Sequence, residues 1–194
     1  MYTQKKLSDC LQGIADRHES EGTLPTSSIT LAYWTRLLNR GILYCADRLR
    51  LAKPTTLTTS SGIIALPDDF LMIDSVFDGD TEYFKVDPQD ENQHVGTVYW
   101  ITGNQTDGFN LNTPDDKLFT ANYVFKPTPL VGNSDVCIIP DEEAVVAYAY
   151  AQIRKGESDP FEDAETALQE CDARLKEIQS TAAINSDSIG FEVL

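Results

Sequence analysis

Proline followed by two acids occurs three times in this 194-residue chain, as Pro67-Asp68-Asp69, Pro114-Asp115-Asp116 and Pro140-Asp141-Glu142. Paired carboxylates are the groups that hydrolyse glycosides and bind hard cations. Each pair stands where one periodicity gives way to another, however, and proline followed by acids is also what turns and helix starts use. The turn reading is the expectation. Asp78-Gly79-Asp80-Thr81-Glu82 opens like a calcium loop, but Tyr83 stands where that loop needs glycine and no glutamate follows at the bidentate position.

The other chemistry-bearing residues form no constellation. There are two histidines, His18 on a helical stripe and His94 in a polar loop, and no Ser or Cys motif is placed to pair with either. Gly96, Gly103 and Gly108 are spaced as turn residues, not as a phosphate-binding loop. Of the four cysteines, Cys10, Cys45 and Cys171 fall on apolar helical stripes and Cys137 lies in Val136-Cys137-Ile138-Ile139. With no CxxC and no Cys/His cluster, they are expected to be reduced and packed as small hydrophobes. The residues predict no catalytic group, no cofactor and no metal site.

Charge limits the partners. Fifteen basic residues against thirty-one acidic give a net charge of -16. Such a surface repels phosphate backbones, because non-specific nucleic-acid affinity comes from Lys and Arg. It suits either solubility or a surface that sits near DNA without adhering to it. The longest apolar run, Ala144 to Ala151, is far short of the roughly 18 residues of a membrane span. The stretch after Lys5-Lys6 is amphipathic and lacks the apolar core of a signal peptide, so the chain is expected to be made and used inside a cell.

The elements that must carry these residues follow from periodicity. Leu7, Leu11, Ile14 and His18 give a short helix over about 3–19. Leu31, Trp34, Leu38, Ile42, Cys45 and Leu49 give a longer one over about 28–51, capped by the Thr26-Ser27-Ser28 hydroxyls and stopped by Pro54. Its opposite face carries Arg36, Arg40, Asp47, Arg48 and Arg50, so much of the scarce positive charge is on one helix. That face is either simply solvated or a docking surface for an acidic neighbour, such as another copy of the chain.

From Thr55 to Leu130 the period changes to two, with turn residues every eight to twelve positions. Gly62 to Val76 reads as two strands about the Pro67-Asp68-Asp69 corner, and Asp78-Gly79 and Asp107-Gly108 are hairpin turns. Strands are expected near 55–58, 63–66, 72–77, 82–86, 97–102, 109–112 and 118–126. In the last of them Phe119, Ala121, Tyr123 and Phe125 share one buried side.

Helical spacing resumes after Pro140 with Val145, Val146, Ala149, Tyr150 and Ile153, ending at Gly156. Asp159-Pro160-Phe161-Glu162 starts a fourth helix with a narrow seam of Phe161, Ala164, Leu168, Cys171, Leu175 and Ile178 that dissolves after Ser180. Ile189, Phe191 and Val193 then alternate, with Leu194 last. This segment is either a frayed terminus or an arm that adds to a neighbour's sheet edge or fills a groove.

These elements predict an α+β chain. About four helices, two N-terminal and two C-terminal, form a bundle over 1–53 and 140–181. A small antiparallel β domain is inserted over 54–139, and 182–194 is a C-terminal arm. The expected partner-binding residues are Arg36, Arg40, Arg48, Ile189, Phe191, Val193 and Leu194.

In this order the chain resembles the head-to-tail connector, or adaptor, proteins of tailed bacteriophages. The resemblance runs from the helical N-terminal part with Trp34 and Leu38 into Ala65-Leu66-Pro67-Asp68-Asp69-Phe70-Leu71-Met72-Ile73. It continues through Val98-Tyr99-Trp100-Ile101-Thr102-Gly103, Phe109-Asn110-Leu111-Asn112-Thr113-Pro114 and Tyr123-Val124-Phe125-Lys126-Pro127-Thr128-Pro129-Leu130 to the paired C-terminal helices. It implies a structural virion protein of the neck, present in the host cytoplasm during assembly. It also implies a ring, typically a dodecamer, that joins portal to tail or nozzle protein and lets DNA pass without specific binding. The chain departs from the family in its C-terminal extension, which is short.

Two other classes fit parts of the sequence. An acidic DNA mimic that occupies a host basic protein rests on the charge. A carbohydrate-binding tail module rests on Tyr99 and Trp100, and requires those aromatics to be exposed.

Overall fold

The structure is a computed structural model, and it describes residues 5–18, 23–58, 62–90, 93–114, 117–156 and 161–185. The expected helical bundle with a small inserted antiparallel domain is not what the chain builds. It builds four helices and one curled, mixed sheet of seven strands with a core of its own. Two compact units follow, one around Met1–Arg50 and Pro127–Gly190, the other around Leu51–Lys126.

The helices are α1 (Leu7–Arg17), α2 (Ser28–Leu49), α3 (Glu142–Lys155) and α4 (Phe161–Asn185). α1 is shorter than its amphipathic pattern suggests, and the Lys6 N–H donates to the Asp9 carboxylate at its start. Ser27 caps α2 by accepting from Thr30 N. The end of α2 corrects the expectation: Arg50, in the left-handed region at φ 51, closes the helix, and Pro54 lies beyond it in a strand. α4 runs past Ser180 to Asn185, so the fading of the apolar seam does not end the helix. α3 packs against α1, α2 and α4, and buries Ala144, Val145, Val146, Ala147 and Ala149. Small side chains there let neighbours approach closely, and Gly41 of α2 lies against the Val145 carbonyl.

The strands are β1 (Ala52–Thr58), β2 (Ile63–Ala65), β3 (Phe70–Asp78), β4 (Thr81–Lys85), β5 (Val98–Asn104), β6 (Gly108–Asn112) and β7 (Leu118–Phe125), within a few residues of the periodicity. Their order across the sheet is β1-β7-β3-β4-β5-β6-β2. β4 and β5 pair in parallel, which departs from an all-antiparallel unit. The physical reason is the connector 86–97, a dozen residues long, enough to cross over where a hairpin would need only a few.

Curvature follows from the chain. A flat sheet of seven strands is about 29 Å wide at ~4.8 Å spacing. Yet the edge strands β1 and β2 are joined so closely that Thr58 and Ile63 stand at most about 19 Å apart, five Cα steps of ~3.8 Å. The sheet must therefore curl. Two register shifts in β3, between Phe70 and Met72 and between Ile73 and Ser75, are the bulges that bend it. Inside the curl lie Leu57, Ile64, Leu66, Phe70, Val76, Tyr83, Tyr99, Leu111, Phe119, Ala121 and Tyr123.

The β5–β6 turn depends on Gly103. Its φ is +98, and a Cβ there would run into the Gly108 carbonyl oxygen. Gly103→Ala is expected to cost about 2–3 kcal/mol through backbone strain plus displacement of that carbonyl. Gly79→Ala, at φ +57 with open space around it, is expected to cost only about 1 kcal/mol. Urea unfolding followed by Trp100 fluorescence distinguishes them, and equal losses would mean that the close approach carries no energy.

Candidate functional site

Two of the three acidic corners, the candidates for chemistry, lie within the described residues. Asp69 accepts from Lys53 Nζ at 2.6 Å and from the Tyr123 hydroxyl at 2.9 Å, while its carbonyl accepts from Lys126 N at 2.7 Å. Burial opposes its charge, but those two side-chain hydrogen bonds outweigh burial and hold the carboxyl below its usual value. The Pro67-Asp68-Asp69 corner therefore ties β1 and β7 to the start of β3. Asp141 is the N-cap of α3, accepting from Glu143 N at 3.1 Å and from Arg174 at 3.0 Å. At the third corner, Asp115 and Asp116 lie outside the described residues. Asp78 is paired with Lys117 at 3.1 Å, at the β3–β4 turn. Among the described residues no group of three or more His, Cys, Asp or Glu side chains could hold a metal ion.

All four cysteines are free and buried. Contact with Cys137 and burial push the Cys10 thiol up, and contact with Cys171 and burial do the same to Cys45. Tyr99 is buried, and His94 stacks on Trp100 with centroids 3.8 Å apart and planes 2° apart. The aromatic platform that a sugar-binding module needs is thus half interior and half covered.

Part of the positive charge of the helical unit is paired within it. Arg17 reaches Glu170 at 2.7 Å and Glu143 at 3.0 Å, Lys5 reaches Glu142 at 2.8 Å and Glu143 at 3.1 Å, and Arg174 bridges Glu170 and Asp141, each at 3.0 Å. This chain of pairs links α1, α3 and α4. The Arg17 guanidinium holds the Glu170 carboxyl down at about 2. A carboxyl depressed in the folded state stabilises above its unfolded value, near 4.3 for Glu, and loses that stability as pH falls toward 2. Melting temperature is therefore expected to fall between about pH 4.5 and pH 2. Arg17→Ala should remove ~1–2 kcal/mol at neutral pH and flatten that acid slope. An unchanged slope in the variant would show that the network contributes nothing.

α2 carries cations that this network leaves out. Its buried stripe is Trp34, Leu37, Leu38, Gly41, Ile42, Cys45 and Ala46. Opposite it, at helical steps, stand Ile29, Arg36, Arg40, Leu43 and Asp47, with Arg50 just past the end, all exposed. Arg36 lies over the Tyr33 ring at 5.3 Å, and neither Arg36 nor Arg40 has an ion pair among the described residues. Arg48 is different. It sits on the flank, 4.8 Å over the Tyr44 ring and 3.7 Å from Asp172, and its carbonyl accepts from Gln179. Tyr44 stacks on Tyr148 and donates to Asp172 at 2.9 Å, and burial with that hydrogen bond pushes its hydroxyl up to about 12.

The structure thus keeps Arg36 and Arg40 together and separates Arg48 from them. The sequence reading missed Ile29, 82% exposed, and Leu43, 42% exposed. Their signal was present, since both fall off the apolar stripe and on the arginine face. Ile189, Phe191, Val193 and Leu194 lie outside the described residues.

The sequence profile described as SU10 adaptor protein matches residues 6–189, nearly the whole chain. The chain belongs to that family. The resemblance to tailed-phage connectors carried by the Leu66-Pro67-Asp68-Asp69-Phe70 corner and the Tyr123 to Leu130 segment is thereby shown. No curated protein matches the chain. The SU10 adaptor is a bacteriophage structural protein and a virion component, of a family not known for enzymes, and it works through contacts with other head and tail proteins. An adaptor needs surfaces, and the exposed face of α2, with Ile29, Arg36, Arg40 and Leu43, offers one.

Proposed function

We propose that this adaptor assembles into a ring, a dodecamer on the resemblance to other connectors, that sits in the virion neck, joins the portal of the phage head to the tail or nozzle protein and extends the DNA channel. The observation that carries the reading is Arg36 and Arg40. In a chain of net charge -16, two exposed guanidinium groups on one helical face have no ion pair among the described residues. Residues 51–126 offer the complement, with twelve acidic residues against four basic. Facing these across a subunit boundary gives electrostatic register and a fast encounter. Acidic surface turned to the lumen lets DNA slide, because it supplies none of the cations on which phosphate binding depends.

Mass in solution with and without purified portal tests the reading. A chain that is monomeric alone and forms a ring on portal supports it. A stable complex with a host basic protein in place of portal would sink it, as would a ring whose lumen is lined chiefly by Lys and Arg.

A further inference from the structure

The two edges of the sheet are not alike. Phe125 N donates to Leu51 O, so 51 and 125 form a hydrogen-bonded pair, and with them 53, 55 and 57 face β7. The free edge of β1 is then formed by Ala52, Pro54, Thr56 and Thr58. Pro54 has no N–H to offer there, which guards that edge. On the other side Thr113 N donates to Gly62 O and Leu66 N to Phe109 O, so Ile64 faces β6 and Ile63 and Ala65 face away.

That edge of β2 carries neither proline nor charge, and Ile63 is 53% exposed. Among the described residues nothing pairs with it. An unguarded edge with free N–H and C=O groups is a template for another strand.

We infer that the open edge of β2 accepts the C-terminal segment 186–194 of a second copy as an added strand. Nine residues follow the end of α4 at Asn185, and Ile189, Phe191 and Val193 alternate with the period of a strand. At ~3.3 Å per residue, residues 189–194 span about 20 Å, ample for the backbone groups of Ile63 and Ala65. The inference rests on self-assembly as proposed above in taking the strand from a neighbour.

The test uses the full-length chain. Amide exchange of Ile63 and Ala65 is followed below and above the concentration of self-association, with portal present if portal is needed. Both amides are expected to slow at least tenfold on association. Phe191→Asp and Ile63→Lys should each abolish that slowing and weaken association at least tenfold, with little further loss when combined. Both positions tolerate a charge without unfolding if circular dichroism is unchanged.

Slowing that does not depend on concentration would place the segment on its own chain and overturn the inference. Amides that remain open in an assembled ring would also overturn it, while leaving the ring reading intact. If no association occurs at all, the ring reading fails separately. A synthetic peptide of residues 186–194 added to the full chain then decides, with slowing at the same two amides supporting the edge and none at millimolar peptide rejecting it.

Discussion

Reversing both charges, Arg36→Glu with Arg40→Glu, is expected to leave the free adaptor folded and to abolish its assembly. Neither guanidinium is needed by the helical unit, since both are exposed, neither has an ion pair among the described residues, and Arg36 lies over the Tyr33 ring. Surface changes of this kind usually shift stability by no more than about 0.5 kcal/mol each. At an interface the same changes convert attraction into repulsion, and like charges brought together cost several kcal/mol. A loss of roughly a thousandfold in assembly affinity at low salt follows. The loss should shrink as salt rises, because the screening length falls from about 10 Å at 0.1 M to about 3 Å at 1 M. Sedimentation with portal measures it. A double variant that assembles at wild-type concentrations would remove the α2 face from the interface. Arg48→Glu is the contrasting substitution: it breaks the pair with Asp172 and repels it, so the free chain itself should melt lower.

The largest stability loss is expected from Phe119→Ala. Phe119 is fully buried in β7, the strand that pairs with both β1 and β3, and its ring meets Tyr83 edge-on at 4.9 Å. Removing a buried phenyl ring costs about 3–5 kcal/mol, and the lost aromatic pair about 1 kcal/mol of that kind again. Against total stabilities of about 5–15 kcal/mol, the curled sheet is left near its unfolding threshold. Urea titration followed at Trp100 reports the change, while Trp34 in α2 reports the helical unit. A loss under ~1 kcal/mol would mean that the core does not close around this ring.

Periodicity along the chain was enough to find the elements because side-chain direction repeats locally, every two residues in a strand and every 3.6 in a helix. The seven strands, the buried side of β7 and the Ser27 cap were all legible in this way. The nature of the Pro67-Asp68-Asp69 and Pro140-Asp141-Glu142 corners was legible too, since proline restricts the backbone wherever it stands. What joins those corners was not: Asp69 needs Lys53 and Tyr123, which are 16 and 54 residues away.

By itself, then, the sequence determined which segments are helix and strand, the charge imbalance and the adaptor family, all of which are carried by local pattern and ordered motifs. Only the tertiary structure decided that the β part is a curled seven-stranded mixed sheet and that β4 and β5 run parallel. It alone decided that Arg48 is taken by Asp172 while Arg36 and Arg40 have no ion pair among the described residues, and that the edge of β1 is guarded by Pro54 while nothing described pairs with that of β2. Each of these depends on pairing between residues far apart in the chain, and spacing along one strand or helix carries no record of its partner.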